Sequence, residues 1–291
     1  MDLQQMRYVV AVAETGGFTR AAEHHQVVQS ALSHQIAKLE RELGARLFDR
    51  TSRSVRLTPA GRAFLPAARQ ALEAADRARA EVAAATGEVR GRLAVGVIPT
   101  MAAVDLPDVL ERYRARHPQV RVTVRTGGSD PMLVQVRERV LDAAFLGLAP
   151  GANPGGVHGT ILARDEHVLI TPPGHPEATA GPLTLADLAD EPFLDFPAGT
   201  AGRVQSDQAF AAAGVRRDVV MEVTSGTLLA DLVRRGMGVA LLPSAYAAHH
   251  PDLPVRRVSG APTRNEHLVW TAPSPSPATL AFLAVLGHAP G

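Results

Sequence analysis

The side chains with most to offer a ligand fall between Gln29 and Lys38 and between Arg50 and Arg56. In the stretch QSALSHQIAKLEREL, Leu32, Ile36, Leu39 and Leu43 recur at i, i+4, i+7 and i+11, one face of an α-helix. The opposite face carries Ser30, His34, Ala37 and Arg41, with Gln29, Ser33 and Lys38 beside it. That face is small, polar and slightly basic. It suits hydrogen bonding to base edges and phosphates. A solvated helix would look similar, so the neighbouring segments decide. Arg50, Arg53 and Arg56 follow in a short basic segment that could reach phosphates or a minor groove.

Those residues need a frame, and the flanking pattern supplies one. Leu3, Met6, Val9, Val10 and Ala13 form an apolar stripe at helical spacing, closed by Gly16-Gly17. Thr19 stands where the N-cap of a second helix is expected, ahead of Arg20-Ala21-Ala22-Glu23. That helix runs out near His25–Val27, and a third begins at Gln29. Two short helices joined by a tight turn, the second with a polar face, is the helix-turn-helix pattern. Gly44 stops the third helix. Leu47-Phe48 and Val55-Arg56-Leu57 are expected to pair as short strands with an arginine-bearing tip, a wing.

Thr58-Pro59 starts a long linker helix. Phe64, Ala68, Ala71, Ala75, Ala78 and Val82, widened by Leu65 and Leu72, make a seam of period 3.5. Pro66 is expected to bend it. Gly87 to Gly91 closes it. The expected domains are 1–58, 59–88 and 92–291. Beyond Arg92, strand-like and helix-like segments alternate, which predicts an α/β domain with a mostly parallel sheet in two lobes. Lobe I is expected over about 92–162 and 268–291, and lobe II over about 163–267.

Several polar turns follow strands in that domain. Thr100 with Met101 follows Ile98-Pro99, Gly128-Ser129 ends a glycine turn, Thr200 follows Phe196-Pro197, and Thr224-Ser225 follows a fourth strand. Helix N-termini there would suit a carboxylate. Open α/β sheets bind ligands at the carboxyl ends of strands. We therefore expect Thr100, Met101, Gly128, Ser129, Phe196, Thr200, Thr224 and Ser225 to line a cleft for a small anionic or polar molecule.

Composition removes other classes. The absence of cysteine excludes disulfides, thiolate metal sites and a cysteine nucleophile. GMGVAL lacks the third glycine of a dinucleotide fingerprint, and no HExxH or GxSxG occurs. No catalytic residue, metal or cofactor is expected. The N-terminus has no leader pattern and no segment suits a membrane span, so a cytoplasmic location is expected. Through Arg92 there are 14 basic and 10 acidic side chains, against 16 and 19 beyond, a mild bias toward an anionic partner at the front.

MDLQQMRYVVAVAETGGFTRAAE, ALSHQIAKLERELGARLFDR and VRLTPAG closely resemble the N-terminal domain of LysR-type transcriptional regulators. LITPPGHP, PFLDFPAGT, GVALLPSAYA and LVWTAPSPSPATLAFL resemble the effector domain of the same family. The resemblance implies a winged helix-turn-helix, a linker helix through which such regulators dimerise, and a periplasmic-binding-protein-like domain of two lobes joined by crossover strands. By position it implies that Gln29, Ser30, Ser33 and His34 face bases and nearby phosphates, and that Lys38, Arg53 and Arg56 touch backbone or minor groove. It also implies double-stranded DNA as partner, a small effector between the lobes, and a dimer or dimer of dimers. The alternative is a sensor that binds the small molecule but not DNA. Two residues of the N-terminal domain depart from the family pattern, and one of the effector domain. Val28 stands where serine is usual, which removes a cap worth ~1 kcal/mol. His25 stands at a position usually filled by a core leucine. Where the family usually has a glycine, Arg139 precedes Val140-Leu141-Asp142, so either the helix ends differently there or the arginine reaches into the cleft.

Overall fold

Asp2 and Gln5 open the first helix. Asp2 Oδ1 accepts the Gln5 N–H and Gln5 Oε1 accepts the Asp2 N–H, at 2.8 and 3.0 Å, a reciprocal cap. The computed structural model describes residues 1–50, 55–85, 87–176 and 182–288. They fall into two compact units dividing after Gly87.

In the first unit, α1 (Leu3–Thr15), α2 (Phe18–His24) and α3 (Gln29–Leu43) surround one small core. Leu32, Ile36 and Leu39 are fully buried in it, against Val9, Val12 and Ala21. Leu43, expected on the same stripe, is 39% exposed, because the helix stops at Gly44 before another element can cover its last turn. The N-cap of α2 is Gly17 and not Thr19. Phe18 begins that helix and is buried edge-to-face against Phe48, 5.7 Å between rings. Between α2 and α3, Gln26 adopts φ +55, and the Val27 N–H reaches back to the Ala22 carbonyl. Gln26 thus fills the left-handed position that glycine commonly takes at a helix end. His25 is half-buried beside Tyr8, 5.4 Å between ring centres, so it caps the rim of the core where a leucine would fill it.

Strands β1 (Phe48–Arg50) and β2 (Val55–Leu57) pair antiparallel, with Asp49 opposite Arg56. Glu40 of α3 accepts the N–H groups of Leu47 and Phe48, which ties the hairpin to α3. Thr58 caps α4 (Pro59–Ala85) by accepting the Gly61 N–H at 3.0 Å. Gly61 is required there, since a Cβ would lie 2.1 Å from the Leu47 carbonyl oxygen. Helix α4 runs on through Pro66. Part of its seam is occupied within the chain: Ala68 is buried, and Arg69–Glu14 and Arg7–Asp76 ion pairs join α4 to α1. Val82, further along, is 70% exposed.

The second unit holds one curled eight-stranded sheet and a two-stranded ribbon. Strands β3 (Gly91–Val97), β4 (Val120–Thr126) and β5 (Ala143–Leu148) are parallel, as β-α-β crossovers require. They carry α5 (Leu106–Arg116) and α6 (Ser129–Arg137), and α10 (Pro277–Val285) joins α5 over β3. The long β6 (His158–Ile170) and β12 (Thr263–Trp270) pair antiparallel with each other, and β12 also with β5. Past Glu166, β6 pairs instead with β10 (Ala240–Pro243) and β11 (Val255–Ser259). A second set of elements packs there: β7 (Leu183–Thr184), the ribbon β8 (Pro192–Asp195) and β9 (Asp218–Glu222), α7 (Ala201–Ala212), α8 (Gly226–Arg234) and α9 (Ser244–Ala247).

The sheet is therefore mixed, not mostly parallel. Two strands run between lobes and must return in opposite directions. By pairing, the chain leaves lobe I between Glu166 and His167 and is back in it by Thr263, compared with breaks expected near 162/163 and 267/268. Arg139 resolves otherwise than a cleft residue. It takes φ +61 after α6, where glycine would serve, and its guanidinium donates to the carbonyls of Ala272 and Ser274 at 2.8 and 3.3 Å. Among the described residues no helix is long and apolar enough to cross a membrane.

Candidate nucleic-acid interface and ligand cleft

The burial of one face of α3 leaves the other outward. Gln29, Ser30, His34 and Lys38 are exposed and Ser33 is half-buried, while Leu32, Ile36 and Leu39 point into the core. Arg56 on β2 is exposed as well. Arg50 lies in β1, opposite Val55; Arg53 lies outside the described residues. At the start of α3, Val28 is the N-cap, makes no side-chain cap and is 68% exposed. The Ala31 N–H turns back on the Val28 carbonyl, and the N–H groups of Gln29 and Ser30 before it receive no side-chain cap; a phosphate is an acceptor suited to them.

In the second unit, a cleft of about 810 Å³ opens between the lobes, and all eight residues expected there line it. Their roles divide. The Ser129 hydroxyl is closed on Gly147, donating to its carbonyl and accepting its N–H at 3.1 and 3.0 Å, so it locks α6 to β5. Ser225 accepts the Leu228 N–H and caps α8. Thr200 donates to the Pro197 carbonyl at 2.8 Å and does not cap α7; Gly128 cannot cap α6. The N-termini of α6 and α7, one from each lobe, therefore present backbone donors and positive dipole ends to the cleft. Thr100 is buried, and its oxygen accepts from Arg264 at 2.7 Å. Met101 and Phe196 contribute half-buried apolar surface, and Thr224 is exposed at the mouth.

Charge enters the cleft where the sequence expectation had none. Arg264 lies in its wall, donating to both the hydroxyl and carbonyl oxygens of Thr100 and to Glu266 at 3.2 Å. Glu266 also accepts the Ala102 and Ala103 N–H groups. Burial pushes its carboxyl above the usual range, while Ala103 and Arg264 hold it down. Asp195 lines the other lobe, paired with Arg217 at 2.7 Å, and burial likewise raises it. Arg217 in turn lies over the rings of Phe193 and Phe210, at 5.4 and 5.3 Å. Each buried charge thus has a partner, as the low-dielectric interior demands. The signal for the first pair was present: Arg264 and Glu266 stand two apart in TRNEHLVW, on one side of a strand.

Residues 3–62 match the family described as bacterial regulatory helix-turn-helix protein, lysR family, and residues 86–290 match the LysR substrate binding domain. The chain belongs to the LysR family. It is a LysR-type, DNA-binding transcriptional regulator with an effector-binding domain, not a sensor lacking the DNA-binding function. Among LysR relatives, it is 35% identical over 257 residues to the transcriptional dual regulator GltC of Bacillus subtilis (strain 168), covering 88% of this chain and 85% of GltC. It is 36% identical over 241 residues to a probable hydrogen peroxide-inducible genes activator of Mycobacterium avium, covering 82% and 77%. Its fold is like that of full-length CbnR complexed with its target DNA, at a TM-score of 0.72, 25% identity and full coverage of both chains. A full-length OxyR variant from Pseudomonas aeruginosa gives 0.71 at 26% identity, covering 99% and 93%.

Proposed function

We propose that this LysR-family regulator grips a duplex with the outer face of α3, using Gln29, Ser30, Ser33 and His34 at base edges and nearby phosphates. Lys38, Arg50, Arg53 and Arg56 supply phosphate or minor-groove contacts. One observation carries this reading: Leu32, Ile36 and Leu39 are buried while Ser30 and His34 face outward, so the polar side is not needed by the protein's own core. The chain works as a dimer or dimer of dimers, and the exposed Val82 end of α4 is apolar surface suited to a second copy. Recognition helices of a dimer would then enter successive major grooves, ~34 Å apart. It acts in the cytoplasm, where its operator is, and regulates without turning over its ligand, as the regulator names of its relatives support.

The signal is a small anionic or polar effector held by Thr100, Met101, Gly128, Ser129, Phe196, Thr200, Thr224 and Ser225. Ligand shifts lobe closure only by its differential affinity for the two arrangements. A peroxide signal is the competing reading, given the name of one relative. With no cysteine in the chain, thiol oxidation cannot deliver it. The test is titration of the full chain with duplex from its own upstream region at several salt concentrations. Log affinity should fall with log salt at ~0.9 per neutralised phosphate. Binding that ignores salt, or no binding, rejects the proposal.

A further inference from the structure

Donors on the cleft wall include the open N–H groups of α6 and α7 and the Thr100 hydroxyl, whose oxygen is taken by Arg264. Its acceptors include the Asp195 carboxylate, paired with Arg217, and Gln205 Oε1, which has no hydrogen-bond partner among the described residues. His167 is different. It is the first residue of β6 beyond the lobe I pairing, and it is 4% exposed yet lines the cleft. Its backbone N–H and its ring Nδ1 both approach the Pro262 carbonyl oxygen, at 2.8 and 3.0 Å. A carbonyl oxygen only accepts, so Nδ1 carries the ring proton and Nε2 carries a lone pair. None of the hydrogen bonds among the described residues uses Nε2. Burial, and then the neighbouring Arg264 guanidinium, hold the ring at about 4, so it stays neutral at physiological pH.

The cleft therefore offers donors for an anion and, at the hinge, an acceptor fixed in its tautomer. We infer that the effector is a carboxylate that also bears a hydrogen-bond donor, a hydroxyl or an amine, with the carboxylate at the N-termini of α6 and α7 and the donor on His167 Nε2. This rests on the reading of the cleft as the effector site. A carboxylate without a donor would leave the Nε2 lone pair desolvated and unmatched, and sites built around such a bond reject ligands that lack it. The position has a consequence for signalling. His167 is fastened to Pro262 where both crossover strands change lobe, so a ligand bond to Nε2 is made at the hinge itself.

The test uses the full-length protein and two matched series: cyclohexanecarboxylate with its 3-hydroxy and 3-amino forms, and benzoate with its 3-hydroxy and 3-amino forms. Thermal shift and calorimetry are read up to ~10 mM ligand. The hydroxy or amino member should bind at least ~10-fold more tightly than its parent acid. Which of the two wins tells a hydroxyl donor from an amine. In His167→Phe the gap should close, with the parent acid binding at least as tightly as to the unaltered protein. Because that variant removes a buried hydrogen bond and could misfold, histidine ¹⁵N spectra of the unaltered protein give a second reading. The donor-bearing ligand should move the non-protonated Nε2 signal upfield and leave Nδ1 protonated. Parent acids that bind equally well, a gap that survives His167→Phe, an unmoved Nε2 signal in the bound state, or no shift from any donor-bearing acid would each overturn the inference. The salt titration with duplex does not involve the cleft and reports separately whether the regulator reading stands.

Discussion

Replacing Arg264 with methionine should expose how the cleft wall is held. The substitution keeps an unbranched side chain of similar reach and removes the charge. It deletes the bonds from the guanidinium to the Thr100 hydroxyl and carbonyl, at 2.7 and 2.8 Å, and the contact to Glu266 at 3.2 Å. Glu266 keeps its Ala102 and Ala103 N–H donors but loses its buried countercharge in the wall. Removing one partner of a buried ion pair typically costs ~3–5 kcal/mol, and the retained N–H bonds place the expected loss near ~3 kcal/mol.

The loss should depend on pH with a definite sign. Burial already raises the folded carboxyl above its unfolded value, and Arg264 opposes that rise. A carboxyl with a raised folded pKa lends stability that is complete below the unfolded pKa and lost as pH climbs through the folded one. Without Arg264 the folded value climbs further, so the deficit widens on going from acid toward neutral pH. His167 acts in the same sense, because Arg264 is one cause of its depressed value, and the ring protonates more readily once that charge is gone. Urea unfolding at about pH 5 and about pH 8 measures both parts, and Arg264→Met/Glu266→Gln should recover much of the loss at the higher pH. A loss under ~1 kcal/mol, or one that grows toward pH 5, would refute the account of a mutually dependent buried pair.

Other outcomes follow from the same geometry. Val28→Ser should add the missing side-chain cap to α3 and raise unfolding stability by ~1 kcal/mol, seen in thermal melts of the full chain. Arg56→Ala should weaken binding to specific and unrelated duplexes alike and reduce the salt slope by ~1, because Arg56 is assigned to phosphate or minor-groove contact and not to a base-specific bond. Arg139→Ala should be less stable than Arg139→Gly by ~1 kcal/mol, since both lose the bonds to Ala272 and Ser274 but only glycine relaxes at φ +61; urea melts compare the pair. Gly226→Ala should impair ligand-dependent stabilisation, because a Cβ there lies 2.5 Å from Tyr246 Oη and 2.9 Å from the Pro99 carbonyl oxygen; the ligand-induced melting shift measures it.

Local pattern sufficed for the front of the chain. The spacing of Leu32, Ile36 and Leu39 chooses which side of α3 is buried, and with it that Ser30 and His34 face out. Gly16, Gly44 and Thr58 mark helix ends through their own backbone or hydroxyl chemistry, which requires no distant residue. The polar turns at Ser129, Thr200 and Ser225 were legible for a related reason: a polar turn that follows a strand and opens a helix lies at the carboxyl edge of the sheet wherever that strand ends up. Thr100 also follows a strand but opens no helix, since α5 begins only at Leu106 with Asp105 as its cap.

The same pattern says nothing about what meets across the molecule. That the Ser129 hydroxyl is spent on Gly147 while Thr200 leaves α7 uncapped depends on which backbone lies alongside each. Arg264 reaches Thr100 across 164 positions, and His167 reaches Pro262 across 95. Those contacts exist because β6 and β12 run between lobes side by side. Sequence alone settled most of the longer helices, the outward face of α3 and the kind of protein. The chemistry of the cleft floor was decided only by folding, since a buried charge or ring nitrogen takes its character from whatever the tertiary structure sets beside it.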